Sequence, residues 1–220
     1  MSDLTITSLG HSGVLLRRDE HVLVIDPGIF SDCSTLHDAD AILITHEHTD
    51  HVDPVAVVDA MRANGRLQTW GPKAVVDQLT SAGVPAERVH ALESGDSATI
   101  VGFSVRAFGG AHALVHPAIP VAPNLAYLID DAVLHPGDSF TPVPDGVAVK
   151  VLLLPVSAPW MAFREAVDYL HAVAPGVAVP IHDGLLTDAG KTIADRGMGA
   201  LAGSSQYRRI ALGEVYVVAD

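Results

Sequence analysis

"ITHEHTDHVD", residues 44–53, decides how this chain is read. Three histidines, one glutamate and two aspartates fall within the eight positions from His46 to Asp53. Imidazoles and carboxylates crowded together are costly unless something binds them. The residues just before, "AILIT" (Ala41–Thr45), are apolar enough for a strand covered on both faces. Just after, Asp53 is a suitable N-cap and Pro54 a suitable first helical residue, and Val57, Val58 and Met61 follow at helical spacing. His46-x-His48-x-Asp50-His51 is therefore expected on a loop between a strand and a helix, with rigid support on both sides.

A single metal ion cannot comfortably take all four groups from so tight a loop. Two ions can, if alternate side chains diverge: His46 and His48 toward one, Asp50 and His51 toward the other. Each ion then needs further ligands from elsewhere in the chain. Candidates follow three predicted strands: His112 in "GGAHA", Asp138 in "HPGDS" and His182 in "VPIHDG". Gly109, Gly110 and Gly137 beside them let the backbone approach a site closely. A donor set of imidazoles and carboxylates suits zinc first, with manganese and iron next. Glu47 is not the base of an H-E-x-x-H motif, because position 50 is aspartate where that motif needs histidine.

The rest of the chain is consistent with one α/β domain spanning residues 1–220. Apolar residues make up 49% of the 220, enough for a sizeable core, and aromatics only 5%, so the core is expected to be Val, Leu, Ile and Ala. Strands are predicted at Leu4–Leu9, Gly13–Leu16, His21–Ile25, Ala98–Ile100, Phe103–Phe108, Leu125–Ile129, Ala132–His135, Val151–Pro155 and Val177–Pro180, and "EVYVV" near the end closes the series. Helices are predicted over Pro72–Ser81 and along Phe163, Ala166, Val167, Leu170 and Val173. Strands first, then strands alternating with helices, fit two packed sheets with helices outside.

The formal net charge of −13 disfavours general nucleic-acid binding. The first ten residues carry no secretory signal, and no stretch is long and apolar enough for a membrane span. A cytoplasmic, membrane-free protein is expected, with a homo-oligomer left open. Cys33, the single cysteine, is expected to be inert. His21, His37, His90 and His171 read as surface or strand histidines, and Trp160 and Met161 as core or pocket wall.

The segment "THEHTDH" resembles the H-x-H-x-D-H signature of the metallo-β-lactamase superfamily, and His112, Gly137–Asp138 and His182 follow in the same order. "GHSGVLL" (Gly10–Leu16) and "VIDPG" (Val24–Gly28) resemble the opening of its UlaG-like, YtkL-like branch. The resemblance implies a four-layer αββα sandwich with a two-metal site at the edge of the sheets. By it, His46, His48 and His112 bind one ion, Asp50, His51 and His182 bind the other, and Asp138 bridges them. It also implies that Asp26 orients a ligand, and it matches His11 and His135 to positions this branch often fills. The segment "SAPW" (Ser157–Trp160) departs from the glycine-rich stretch expected there and is read as shaping the substrate pocket.

The expected activity is that of a metal-dependent hydrolase. Two cations share a water, lower its pKa and generate a hydroxide that cleaves an ester, lactone, amide or phosphodiester bond in a small substrate, an anionic group being drawn to the ions. Asp50 is expected to steer that hydroxide, and His135 or His116 to protonate the leaving group. Two readings compete. An iron-dependent oxidoreductase on this fold would be expected to lack part of the second ligand set. A non-catalytic metal-binding protein would be expected to have lost ligands, and none is lost here.

Overall fold

The computed structural model describes residues 3–219. One sheet takes β1 (Thr5–Gly10), β2 (Gly13–Arg18), β3 (His21–Ile25), β4 (Ala41–Leu43), β5 (Gln68–Gly71) and β6 (Val89–Ala91). The other takes β7 (Ser97–Ile100), β8 (Phe103–Gly109), β9 (Leu125–Ile129), β10 (Val133–His135), β11 (Val151–Pro155), β12 (Val177–Ile181) and β13 (Gln206–Tyr207). A last strand, β14 (Val215–Val217), returns to pair with β1. The spatial orders are β14-β1-β2-β3-β4-β5-β6 and β13-β12-β11-β10-β9-β8-β7. Each sheet begins as an antiparallel meander and continues as a parallel run.

Alternation along the buried strands builds the layers. Leu23 and Ile25 of β3 and Leu43 of β4 face the second sheet, where they meet Phe103, Tyr127, Val133 and Leu153. Their neighbours Val22, Val24 and Ile42 face the other way, onto the helices α1 (Pro54–Ala63) and α2 (Lys73–Ser81) through Val57, Met61, Val75 and Leu79. On the second sheet Leu128, Leu152 and Leu154 face out onto α3 (Phe163–Val173) and α4 (Asp188–Leu201) through Ala166, Leu170 and Met198. Strands apolar at every position are therefore covered on both faces, and the result is an αββα sandwich.

The junctions behave as their chemistry requires. The Asp53 carboxylate accepts from the Val55 and Ala56 amides (2.9 and 3.1 Å), capping α1 with Pro54 in its first turn. Pro72 precedes α2 instead of opening it. The spacing along the chain gave no hint of β5, β6, β13 or α4. The three strands are four residues or fewer, and α4 carries Gly190, Gly197 and Gly199, which lower its helical propensity. Among the described residues, no helix is long and apolar enough to cross a membrane.

Strand direction places the site. β1, β3 and β4 run parallel to one another, as do β8, β10 and β12. His11, Asp26, the 46–51 loop, His112, Asp138 and His182 all follow the C-terminal ends of these six strands. This is where loops of open α/β sheets gather ligands.

Candidate metal centre

The cluster is built by groups that reach it from six loops. The coordinating atoms of His46, His48 and His112 lie close enough together to share one ion, and so do those of Asp50, His51 and His182 with His11. A third group, His46, His51 and Asp138, overlaps both. Asp138 occupies the middle: Oδ1 is 3.0 Å from His51 Nε2, and Oδ2 is 3.3 Å from His112 Nε2 and 3.1 Å from His182 Nε2. The structure thus brings together all seven residues expected as ligands. It also brings in His11, whose Nε2 lies 3.2 Å from Asp50 Oδ2.

Four imidazoles are held in one tautomer from behind. Nδ1 faces Thr45 Oγ1 in His46 (3.0 Å), Asp26 Oδ2 in His51 (2.7 Å), the Ala113 carbonyl in His112 (2.6 Å) and the Ser157 carbonyl in His182 (2.6 Å). Each Nδ1–H donates outward, so in the neutral ring Nε2 is the nitrogen presented to a cation. The Thr45 hydroxyl in turn donates to Asp26 Oδ2 (2.7 Å), and the Thr45 amide donates to Asp26 Oδ1 (2.7 Å). One fully buried carboxylate therefore sets the proton position of His51 directly and of His46 through a hydroxyl. Asn124, also fully buried, accepts from the Asp138 amide (3.0 Å) and donates to the Pro136 carbonyl (2.9 Å), fixing the loop that carries Asp138.

The electrostatics are those of a site waiting for positive charge. Burial drives His46, His48 and His11 below the ordinary imidazole range. Burial acts the same way on His51, His112 and His182, but the carboxylates beside them outweigh it: Asp138 and Asp26 for His51, Asp138 for His112, Asp138 and Asp50 for His182, which is raised to about 9. Burial would raise Asp50 and Asp138, yet the surrounding imidazoles hold both well below the carboxylate range. His51 Nε2, Asp138 Oδ1 and His182 Nε2 are buried without completing a hydrogen bond, though the first two are neighbours. Orphaned buried donor atoms of this kind, convergent and all nitrogen or oxygen, fit divalent metal.

The two residues expected as proton donors lie apart from the cluster's converging atoms. His135 has no solvent exposure, its Nε2 donates to the Ser12 carbonyl (3.0 Å), and its Nδ1 accepts from the Gly137 amide (3.1 Å). Both of its nitrogens are engaged in the scaffold. His116 lies exposed on the 111–124 loop, where Nδ1 accepts from the Ala118 amide (3.1 Å), and it makes no bond to the cluster. Trp160, read from sequence as core or pocket wall, donates its indole N–H to Asp138 Oδ2 (2.9 Å) and sets its ring edge-on to His112 and His182. Cys33 is half-buried, its thiol pushed up to about 11 by burial, in keeping with an inert residue.

Backbone geometry and more distant residues also shape the site. His11, Asp26 and His182 all adopt left-handed backbone conformations (φ +51°, +50° and +59°), which non-glycine residues rarely take. Gly28 brings backbone against backbone: a Cβ there would lie 1.9 Å from the Asp50 carbonyl oxygen. Asp183, next to His182, pairs with Arg209, which also grips Asp195 of α4 through two bonds (2.7 and 2.8 Å), anchoring the His182 loop to that helix. No sequence motif marks Asn124 or Arg209.

Residues 5–182 match the family model described as "Beta-lactamase superfamily domain". The chain belongs to the metallo-β-lactamase superfamily. It is 40% identical over 190 residues to Protein Rv0786c of Mycobacterium tuberculosis, an alignment covering 83% of this chain and 85% of that protein. It is 28% identical over 203 residues to a protein of Methanosarcina mazei named "UPF0173 metal-dependent hydrolase", covering 83% and 84%. Among solved structures it shares its fold with Igni18, a metallo hydrolase from Ignicoccus hospitalis, at a TM-score of 0.76 and 22% identity over 100% of both chains. YhfI of Bacillus subtilis, a metallo-β-lactamase fold protein, is similar at a TM-score of 0.77 and 18% identity over 99% and 100%. Membership in the superfamily accounts for the sandwich and for the ordered ligand loops. Trp160 and its bond to Asp138 are features seen in this chain.

Proposed function

We propose that this superfamily member is a metal-dependent hydrolase that uses two divalent cations to cleave an ester, lactone, amide or phosphodiester bond in a small substrate. The observation that carries the reading is the overlap of the ligand groups: two triads joined through Asp138, with unpartnered nitrogen and oxygen atoms aimed between them. When bound, a pair of such ions supplies Lewis acidity and an activated water at neutral pH. His46, His48 and His112 would hold one ion, Asp50, His51 and His182 the other, and Asp138 would touch both. Asp50 is the more exposed of the two ligating carboxylates, its side chain 25% accessible, and would steer the attacking water. Among the described residues, no lysine or arginine bonds to a cluster residue, so substrate charge would be met by the cations themselves. Zinc is the metal favoured by the donor set, with manganese and iron next.

Metal analysis of the purified protein, followed by turnover of simple esters, lactones and bis-p-nitrophenyl phosphate after reconstitution, tests this. Two zinc or manganese ions per chain with turnover of at least one bond type is the expected result, and His48→Ala is expected to lower metal content and abolish turnover. A single iron with oxygen consumption would replace this reading by oxidation.

A further inference from the structure

His11 meets the distance criterion for an additional ligand, since its ring lies with Asp50, His51 and His182 in one coordinating group. Its hydrogen bonds say otherwise. In His46, His51, His112 and His182 the outward-facing Nδ1 meets an acceptor, which frees Nε2 as a lone pair. In His11 the outward-facing Nδ1 meets a donor, the backbone N–H of Gly184, at 3.0 Å. That nitrogen must accept, so the ring proton sits on Nε2, the atom 3.2 Å from Asp50 Oδ2. A protonated nitrogen donates to a carboxylate and cannot bind a metal at the same time.

We propose that His11 is a positioning residue of the second metal site: it donates Nε2–H to Asp50 and thereby orients that carboxylate, without ligating an ion itself. The inference rests on the two-cation reading above. Its surroundings make the ring a fixed part. The His11 side chain is fully buried, and its centroid is 4.1 Å from that of His182. The Phe30 ring packs edge-on at 5.4 Å, and a Cβ on Gly184 would come within 3.0 Å of Nδ1. The His182 amide donates to the His11 carbonyl (3.0 Å), so the same residue ties a loop of the first sheet to a ligand loop of the second. Asp50 needs such a holder, because it is the more exposed of the two carboxylates in the cluster. A carboxylate has lone pairs enough to accept this bond and still ligate.

The test strips the full-length protein with a chelator and titrates it with cobalt(II), reading stoichiometry, affinity and the visible ligand-field spectrum. His11→Leu removes the donor at similar volume; His11→Gln returns an N–H donor at similar reach. His11→Leu is expected to take up two cobalt ions at saturation with the wild-type spectrum, the second binding about 10–100-fold more weakly. His11→Gln is expected to recover most of that loss. Saturation of His11→Leu at one ion, or a spectrum showing a lost nitrogen ligand, would make His11 a ligand and overturn the proposal. Unchanged affinity for both ions would remove any positioning role. If His11→Leu does not fold, His11→Gln decides alone: two ions with the wild-type spectrum support a donor, one ion indicates a ligand. Wild-type protein that binds fewer than two cobalt ions would instead sink the two-cation reading, a failure visible before any variant is made.

Discussion

Replacing Asp26 by asparagine changes one oxygen to an amide nitrogen at the point where the site's proton positions are set. Asp26 accepts three bonds of 2.7 Å, from the Thr45 amide, the Thr45 hydroxyl and His51 Nδ1, and its side chain has no exposure. Asparagine can keep the bond from the Thr45 amide through its remaining oxygen. Its NH2 group then faces the Thr45 hydroxyl and His51 Nδ1. The hydroxyl can turn to accept. The imidazole can accept only by moving its proton from Nδ1 to Nε2, the atom that must bind a cation. Each metal-binding event then has to reverse that shift against an N–H···H–N contact. Loss of a hydrogen-bond partner behind a metal-ligating histidine costs about 10–100-fold in affinity, or about 1.4–2.8 kcal/mol. Asp26→Asn is therefore expected to retain the fold, keep the ion at His46, His48 and His112 with a smaller loss, and bind the other ion about 10–100-fold more weakly. Competition against a chromophoric chelator at pH 7.5 measures both steps. Two ions bound with wild-type affinities would refute the reasoning, because it would mean that the proton on His51 is not controlled from Asp26.

Three further outcomes follow from the same geometry. Gly28→Ala would drive a methyl group to 1.9 Å from the Asp50 carbonyl oxygen, where backbone has to move, so a loss of at least about 1–3 kcal/mol in stability together with weakened metal binding is expected by thermal melting and metal titration. A melting temperature equal to wild type would show that the signature loop yields freely. Because His182 is raised to about 9 in the metal-free protein, it is protonated at pH 7 and must lose that proton to bind a cation. Metal affinity should fall by up to about tenfold per pH unit below 9 from this group alone, and calorimetry in buffers of different ionisation enthalpy should show proton release; heats independent of buffer would contradict it. Trp160→Phe keeps the ring and deletes the 2.9 Å bond to Asp138, so metal affinity should drop by about tenfold, the scale of one hydrogen bond to a charged group. The indole emission of Trp160 should also respond to cobalt in the wild type, and its indifference would place the ring away from the ions.

The ligands and their holders differ in how far they can be read from the chain, and the reason is physical. All seven expected ligands carry imidazole or carboxylate in a loop just past a predicted strand, and both signals are local. Val22 and Val24 alternate with Leu23 and Ile25 in a strand that hydrophobicity alone identifies, although only the packing shows that one pair faces helices and the other a second sheet. The helix α4 gave no such signal, since its glycines dilute propensity and its two buried residues, Ala194 and Met198, are too few to mark a stripe. The holders are ordinary residues whose roles exist only through distant partners. Thr45 and Asn124 are unremarkable until the fold brings them to Asp26 and Asp138. His11 and Gly184 are separated by 173 positions, yet the direction of the single bond between them separates a ligand from a donor. The bonds of His135 to Ser12 and Gly137, which engage both its nitrogens, are likewise visible only in the folded chain. Residue type and order thus identify which groups can meet a cation. Which of them do, and with which nitrogen, is decided by what stands behind each ring, and that is a property of the folded chain.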